Sequence, residues 1–313
     1  MDSKDSKQIE KVIILGTGPA GLSAGLYAAR ADLNPLIFTG TQIGGQAALT
    51  DRIENYPGFP EGIGGAELAD LFQKNAERFG TRIEYDTATE VDLSSRPFLV
   101  KTYSNSFRTQ ILIIATGANP NKLNIPGEDE FLGKGVSYCA TCDGWFFKEK
   151  AVVLVGGGDS ALEEGIFLTR YASSVKIIHR RDELRAGVIL QKRAFDNPKI
   201  DFIWDSVVKE VKGSNAVEEI ELENVKTGKR SELSTDGFFV FIGHKPTTDL
   251  FKSQLELDEK GYIIVDKRMR TNIPGVFAAG EACDPLYRQV ITSAGMGAAA
   301  AIETTRLLES ESK

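Results

Sequence analysis

Lys11-Val12-Ile13-Ile14-Leu15-Gly16-Thr17-Gly18-Pro19-Ala20-Gly21 is the stretch that decides the fold of this 313-residue chain. Lys11–Leu15 reads as a short buried parallel strand, apolar after its first residue. A G-x-G-x-x-G turn follows, then an Ala-rich helix over Leu22–Arg30 and a second strand over Pro35–Thr39. This is one βαβ unit. Its glycines permit the tight turn, the approach of backbone to a pyrophosphate and close packing of the helix. The helix N-terminus adds free N–H groups and the positive end of its dipole. Gly16, Gly18, Pro19, Ala20 and Gly21 are therefore candidate nucleotide ligands. The acidic residue that usually grips a ribose about 20 positions on is missing, because that point reads Phe38-Thr39-Gly40.

The pattern recurs far downstream. Ala151–Val155 predicts a strand, Gly156-Gly157-Gly158-Asp159-Ser160-Ala161 a turn, Leu162–Tyr171 a helix and Val175–His179 a second strand. The ribose position now holds arginines, in His179-Arg180-Arg181-Asp182-Glu183-Leu184-Arg185. Guanidinium forks bind phosphate bidentately, so Arg180, Arg181 and Arg185 point to a 2′-phosphate, and to NADPH over NADH. The competing reading is a solvated basic helix start.

Further buried strands are expected at Ile111–Ala115 and Phe238–Ile242, a late strand-turn at Gly275–Glu281, and a long Gly/Ala-rich helix over Ile291–Leu308. The fold class is α/β, with two Rossmann-type dinucleotide-binding domains. The first is discontinuous, residues 1–118 and 247–313. The second, residues 119–246, is inserted in it, and two crossings form a double hinge.

Between the fingerprints lies Cys139-Ala140-Thr141-Cys142-Asp143. A C-x-x-C is a redox dithiol or half of a zinc site. Zinc needs two more ligands at suitable spacing, and Cys283, His179 and His244 are scattered, so no metal is expected. A redox pair fits a chain with three cysteines. Asp143 is a candidate general acid or base for the sulfur chemistry, with a helix cap as the competing reading. Cys283 reads as a structural thiol, His244 as a hinge or surface residue, and Tyr287, Trp145 and Trp204 as packing residues.

Net charge is −7 with a pI near 5.2, which excludes a whole-protein attraction to nucleic acid or an anionic membrane. Met1–Lys11 mixes both charge signs and lacks an apolar core, so no signal peptide is expected. Val12–Ala29 is uncharged but broken by four glycines and a proline. A strand, turn and helix account for it better than a membrane span. The expected address is cytoplasmic.

With these residues assembled, the chain resembles the low-molecular-weight, flavin-containing thioredoxin reductases over nearly its whole length. The matches are GTGPAG at 16–21, TGTQIGGQ at 39–46, ENYPGFP at 54–60, ATGA at 115–118, CATCDG at 139–144, GGGDSA at 156–161, HRRDELRA at 179–186 and YRQV at 287–290. The resemblance implies FAD on Gly16, Gly18, Pro19, Ala20 and Gly21, on Thr39, Gly40, Gly44, Gly45 and Gln46, and on Asn55. It extends this set to the Val91 backbone, Ala115, Thr116 and Gly117, and to Gly280, Glu281, Arg288, Gln289 and Val290. It implies NADPH on Gly156, Gly158, Asp159, Ser160 and Ala161, with His179, Arg180, Arg181 and Arg185 beyond. Cys142 would face the flavin, Cys139 would attack the acceptor disulfide and Asp143 would manage protons. The partner implied is thioredoxin or a thioredoxin-like protein, and the assembly a homodimer. The absent ribose carboxylate is shared by the family. One departure is Gly280-Glu281, where the family usually has Gly-Asp; glutamate keeps the charge near the ribityl chain and adds a methylene.

Other readings share the motifs. A dithiol oxidase or a ferredoxin-fed reductase would not need NADPH, and the three arginines argue against both. The flavoprotein partner of a peroxidase needs an extra N-terminal redox domain, and about ten polar residues precede the first strand. A non-enzymatic redox sensor or scaffold would not need Cys139, Cys142 and Asp143 together. An appended thioredoxin domain is not expected, so the acceptor is read as a separate molecule.

Overall fold

The computed structural model describes residues 5–50 and 52–311. The chain begins with β1 (Asp5–Leu15), α1 (Pro19–Arg30) and β2 (Leu36–Phe38), the expected βαβ start. Next come α2 (Gly65–Arg78), β3 (Arg82–Glu84), β4 (Ala88–Asp92), β5 (Phe98–Thr102), β6 (Ser106–Ile114) and β7 (Ala118–Pro120). The inserted segment carries β8 (Val136–Ser137), α3 (Ala140–Asp143), β9 (Ala151–Val155), α4 (Asp159–Leu168), β10 (Ser174–Ile178), α5 (Val188–Phe195) and β11 (Ile200–Ile203). It closes with β12 (Ser206–Gly213), β13 (Val217–Asn224), β14 (Arg230–Ser234) and β15 (Gly237–Val240). The chain then returns through β16 (His244–Pro246), β17 (Val276–Ala278) and α6 (Val290–Glu311).

Two compact units result, Met1–Asn119 with Lys245–Lys313, and Pro120–His244. The boundaries fall one residue later at the first crossing, and two earlier at the second, than the hydropathy pattern places them. The crossings are themselves short paired strands, β7 and β16, whose ladder a hydropathy pattern does not announce.

In the discontinuous unit the sheet runs β3-β2-β1-β6-β5-β4, with β17 also on β6. β3, β2, β1, β6 and β17 are parallel. β4 and β5 join antiparallel. Strand β6 pairs with β5 through its first half and with β17 through its second. Alternation sorts the side chains. Val12 and Ile14 pack with Ala24, Ala28, Ala300 and Ala301 under α1 and α6. Ile13 and Leu15 pack on the other face with Phe98, Val100 and Phe251.

The inserted unit repeats this logic. Its parallel sheet runs β11-β10-β9-β15-β8. Val152 and Leu154 face α4 through Leu162 and Leu168. Val153 faces the β12-β13-β14 meander through Val208, Ile220 and Leu222.

Helices α1 and α6 approach so closely that position 297 admits no side chain. A Cβ at Gly297 would lie 1.9 Å from the Ala20 carbonyl oxygen. Gly297→Ala therefore forces α6 away from α1. The expected loss is about 1–3 kcal/mol, read as a fall in unfolding midpoint against an exposed control such as Gly295→Ala. Equal midpoints for the two variants would contradict this packing.

Candidate functional site

The first cradle sits where β1 gives way to α1. Gly16 N–H donates to the Phe38 carbonyl (2.8 Å), and Gly16 takes φ +106°, a value costly for a residue with a Cβ. A Cβ there would lie 2.4 Å from the Ala115 carbonyl oxygen, and one at Gly21 would lie 1.9 Å from the Gly16 oxygen. The turn is thus as tight as a backbone permits. Gly18 is the N-cap of α1, with no side-chain cap and no acidic residue in the first turn. The first N–H groups are left for an anion.

Two other expected flavin glycines lie against this turn. Gly45 lies against Gly18, where an added Cβ would meet the Gly18 Cα at 2.9 Å. Gly280, at φ +68°, abuts Ala20. Thr116 Oγ1 donates to the Thr247 carbonyl (2.7 Å), Gln46 to Asn119 (2.7 Å) and Asn55 to Gln289 (3.1 Å). The resemblance implies Val91 through its backbone. It is a buried β4 residue in the sheet-face core, and its carbonyl already accepts from Gln254 Nε2 (2.9 Å). The strand ends that flank the cradle are instead joined by Thr39 and Gly40, whose N–H groups donate to the Glu84 and Asp86 carbonyls.

Thr17 escaped the sequence reading because it fills a variable position of the fingerprint. It is 1% exposed. Its hydroxyl donates to the Thr39 carbonyl (3.3 Å) and accepts from Gly44 N–H (3.3 Å), tying three cradle segments together.

Glu281 is half-buried near Arg288 and Asp284. Burial pushes its carboxyl up to about 7, against an opposing pull from Arg288 and with a further push from Asp284. Burial, with Asp284 adding, raises the nearby Cys283 thiol to about 12, so this thiol stays protonated and donates to the Gly280 carbonyl.

The second cradle, at the start of α4, has the same form. Gly158 is the N-cap without a side-chain cap, and an added Cβ there meets nothing within 4 Å. Arg185 N–H (2.7 Å) and Ala186 N–H (3.2 Å) donate to the Gly157 carbonyl, fastening the arginine segment to the turn. Asp159 Oδ1 accepts from Gly187 N–H (2.7 Å). Arg180, Arg181 and Arg185 are exposed, line one open cavity of about 290 Å³, and form no ion pair among the described residues. His179 is buried beneath the turn, its ring 2.3 Å from where a Gly157 Cβ would be. Burial lowers its pKa, and its buried Nε2 has no hydrogen-bond partner among the described residues. It supports the loop from below, and the Arg185 and Arg180 charges add to the lowering.

The dithiol turn belongs to the same unit. Cys139 and Cys142 are disulfide-bonded, with Cα atoms 5.4 Å apart. Cys139 is the N-cap of α3, and its Sγ accepts from Cys142 N–H (3.1 Å). Ser137, 3% exposed, donates its Oγ–H to Asp143 Oδ2 (2.6 Å) and accepts from Cys139 N–H (3.0 Å). Asp143 is thus held beside the turn by Ser137 and makes no side-chain cap to the following helical turn. Tyr138 donates its hydroxyl to Glu128 (2.9 Å), which also accepts from Leu123 and Asn124 N–H. Burial and this bond raise the Tyr138 pKa. Ser137, Tyr138 and Glu128 carried no sequence signal, since they belong to no fixed spacing.

Of the three expected packing aromatics, Trp204 stacks on Phe202 (4.9 Å, 7° between planes). Trp145, although 55% exposed, packs edge-on against Tyr171 (5.7 Å), whereas Tyr287 is 67% exposed.

The pyridine nucleotide-disulphide oxidoreductase family model matches residues 10–297. The thioredoxin reductase of Rickettsia bellii is 52% identical over 303 residues, covering 95% of this chain and 98% of the relative. That of Streptomyces coelicolor is 49% identical over 306 residues, covering 96% and 94%. This chain belongs to the thioredoxin reductases. The crystal structure of the Streptococcus pyogenes thioredoxin reductase matches with a TM-score of 0.93 at 44% identity, covering 97% of this chain and all of that one. The family is FAD-binding and NADPH-dependent. Both cradles fit such ligands, each with an uncapped helix N-terminus against glycines that leave room for a pyrophosphate.

Glu281 makes a pH dependence measurable in the flavin-free protein. With its carboxyl raised from 4.5 to about 7, the folded chain holds a proton that the unfolded chain releases. This group's contribution to stability therefore falls as pH rises from about 4.5 to 7. Glu281→Gln removes that component. Urea unfolding at pH 5 and pH 8 is expected to show about 1–3 kcal/mol less decline in the variant than in the parent. An identical decline would rule out the raised carboxyl.

Proposed function

We propose that the protein passes electrons from NADPH, through FAD and the Cys139–Cys142 dithiol, to the disulfide of thioredoxin or a thioredoxin-like protein. The observation that carries this reading is a bonded C-x-x-C pair on a turn braced by Ser137 and Asp143. It lies in the same unit as three arginines that pair with no carboxylate among the described residues.

Gly16 to Gly21 and Gly158 to Ala161 hold the two pyrophosphates on helix N-termini. Arg180, Arg181 and Arg185 hold the 2′-phosphate as bidentate forks. FAD, when bound, supplies a two-electron relay between nicotinamide and disulfide. In the reduced state, the Cys139 thiolate attacks one sulfur of the acceptor disulfide and releases the other as a thiolate, which Asp143 protonates. Cys142 then attacks the mixed disulfide at Cys139, restoring the internal bond and releasing the second acceptor thiol. Ser137 orients the Asp143 carboxyl for the proton transfer. The homodimer and the cytoplasmic address implied by the resemblance belong to the same proposal. Among the described residues no helix is long and apolar enough to cross a membrane.

Anaerobic titration of the flavin-loaded protein with NADPH and NADH tests the donor side. Bleaching by NADPH at far lower concentration than NADH is expected. No preference would favour a ferredoxin-fed reductase or a dithiol oxidase. Cys142→Ser keeps a reducible flavin and loses reduction of thioredoxin disulfide; retained turnover would remove the dithiol from the path.

Ser137→Ala tests the proton step. It removes a hydrogen bond to a carboxylate, a type of contact worth about 1.5–3 kcal/mol. Thioredoxin reduction is expected to slow by about tenfold or more, with the pH profile displaced, while the rate of flavin bleaching by NADPH stays unchanged. Equal slowing of both half-reactions would make Ser137 a purely structural residue.

A further inference from the structure

The arginine cavity is lined by acids as well as bases. Arg180, Arg181, Arg185 and Lys226 face it, and so do Asp182, Glu183 and Asp205. Three carboxylates beside a phosphate site are costly, because like charges a few ångströms apart repel even at a surface. Lys226 resolves much of this conflict. Its Nζ lies 2.7 Å from Asp182 Oδ2 and 2.9 Å from Asp205 Oδ2. One ammonium thus holds two carboxylates, while the three guanidiniums form no ion pair among the described residues. The hydrogen bond from Lys226 also holds the Asp182 carboxyl below the usual carboxylate range.

Hydrogen bonds fix the backbone that carries this ammonium. Lys226 sits in the turn between β13 and β14, where Asn224 Oδ1 accepts from the N–H groups of Lys226 (3.1 Å) and Thr227 (3.0 Å). Val225 N–H donates to the Asp205 carbonyl (2.6 Å), and Asp205 N–H donates to the Arg181 carbonyl (3.3 Å). The lysine, the aspartate and the arginine segment form one hydrogen-bonded web. Lys226 lies more than 40 residues beyond the arginine motif, so no motif spacing points to it.

We propose that Lys226 is a specificity-determining residue for the nucleotide: by neutralising Asp182 and Asp205 it keeps the arginine cavity attractive to a 2′-phosphate. Without Lys226 the lining carries three cations against three carboxylates, and the phosphate meets two unshielded acids. The discrimination between NADP⁺ and NAD⁺ then collapses while the shared parts of the two nucleotides still bind. The inference rests on the reading of Arg180, Arg181 and Arg185 as the 2′-phosphate site.

The test is calorimetric binding of NADP⁺ and NAD⁺ to the oxidised, flavin-loaded protein at low and physiological salt. Lys226→Met is expected to weaken NADP⁺ by about tenfold, the equivalent of 1.4 kcal/mol, and to leave NAD⁺ within twofold. The same substitution in an Asp182→Asn, Asp205→Asn background is expected to restore NADP⁺ binding, since no acids remain to be shielded. Equal weakening of both nucleotides, or weakening that this background does not relieve, overturns the neutralising role. Arg181→Ala run in parallel separates the two levels. If it abolishes the NADP⁺ preference while Lys226→Met does nothing, the Lys226 assignment alone fails. If neither changes the preference, the 2′-phosphate site fails and Lys226 with it. Lys226 is exposed, and an unchanged melting temperature and flavin content verify that each variant is folded.

Discussion

A helix whose first turn has no side-chain cap is the constraint on which both nucleotide sites depend. Four N–H groups at such an end need partners. At Gly18 and Gly158 the chain offers none of its own. Each turn is compressed at particular positions where only glycine fits, Gly21 against the Gly16 carbonyl and Gly156 against the Phe241 carbonyl. Compression aims the N–H groups at one point and keeps side chains away from it. The flanking strands are buried on both faces, which holds the turn rigid. The same strand-turn-helix arrangement occurs twice, and its surroundings distinguish the two sites. A carboxylate at Glu281 borders one, and a guanidinium cluster borders the other.

The dithiol turn depends on a different kind of support. Its two cysteines close a short loop that has little apolar surface of its own, so polar contacts fix it. Ser137 links the backbone of Cys139 to the carboxyl of Asp143, and Glu128 ties Tyr138 to residues 123–124. These bonds are partly buried, where exchange with water is limited and each one carries more weight.

What was legible in the sequence follows the range of the interactions. Val12 to Leu15 and Ala151 to Val155 read correctly because burial on both faces of a parallel sheet demands continuous apolar residues. Gly16, Gly21 and Gly156 read correctly because backbone crowding admits nothing else there. Helix starts were placed late, at Leu22 and Leu162 rather than at Pro19 and Asp159, since the first turn of each helix is written in fingerprint residues and not in apolar periodicity. Thr17, Ser137 and Glu128 were invisible, because their partners are set by tertiary geometry. Gln254, whose amide donates to the Val91 carbonyl (2.9 Å), was likewise invisible, because its partner is more than 160 residues away in sequence.

The inserted unit leaves and rejoins the rest of the chain at one place. Asn121 N–H donates to the Gly243 carbonyl (2.9 Å), so its first and last residues are neighbours. A module whose ends meet is a closed loop in topology, and its removal leaves a gap that a few residues span. Insertion of such a module costs its host little, because the host already brings together the two points it joins. Chain economy of this kind lets one nucleotide-binding unit carry another without disturbing the order of its own strands.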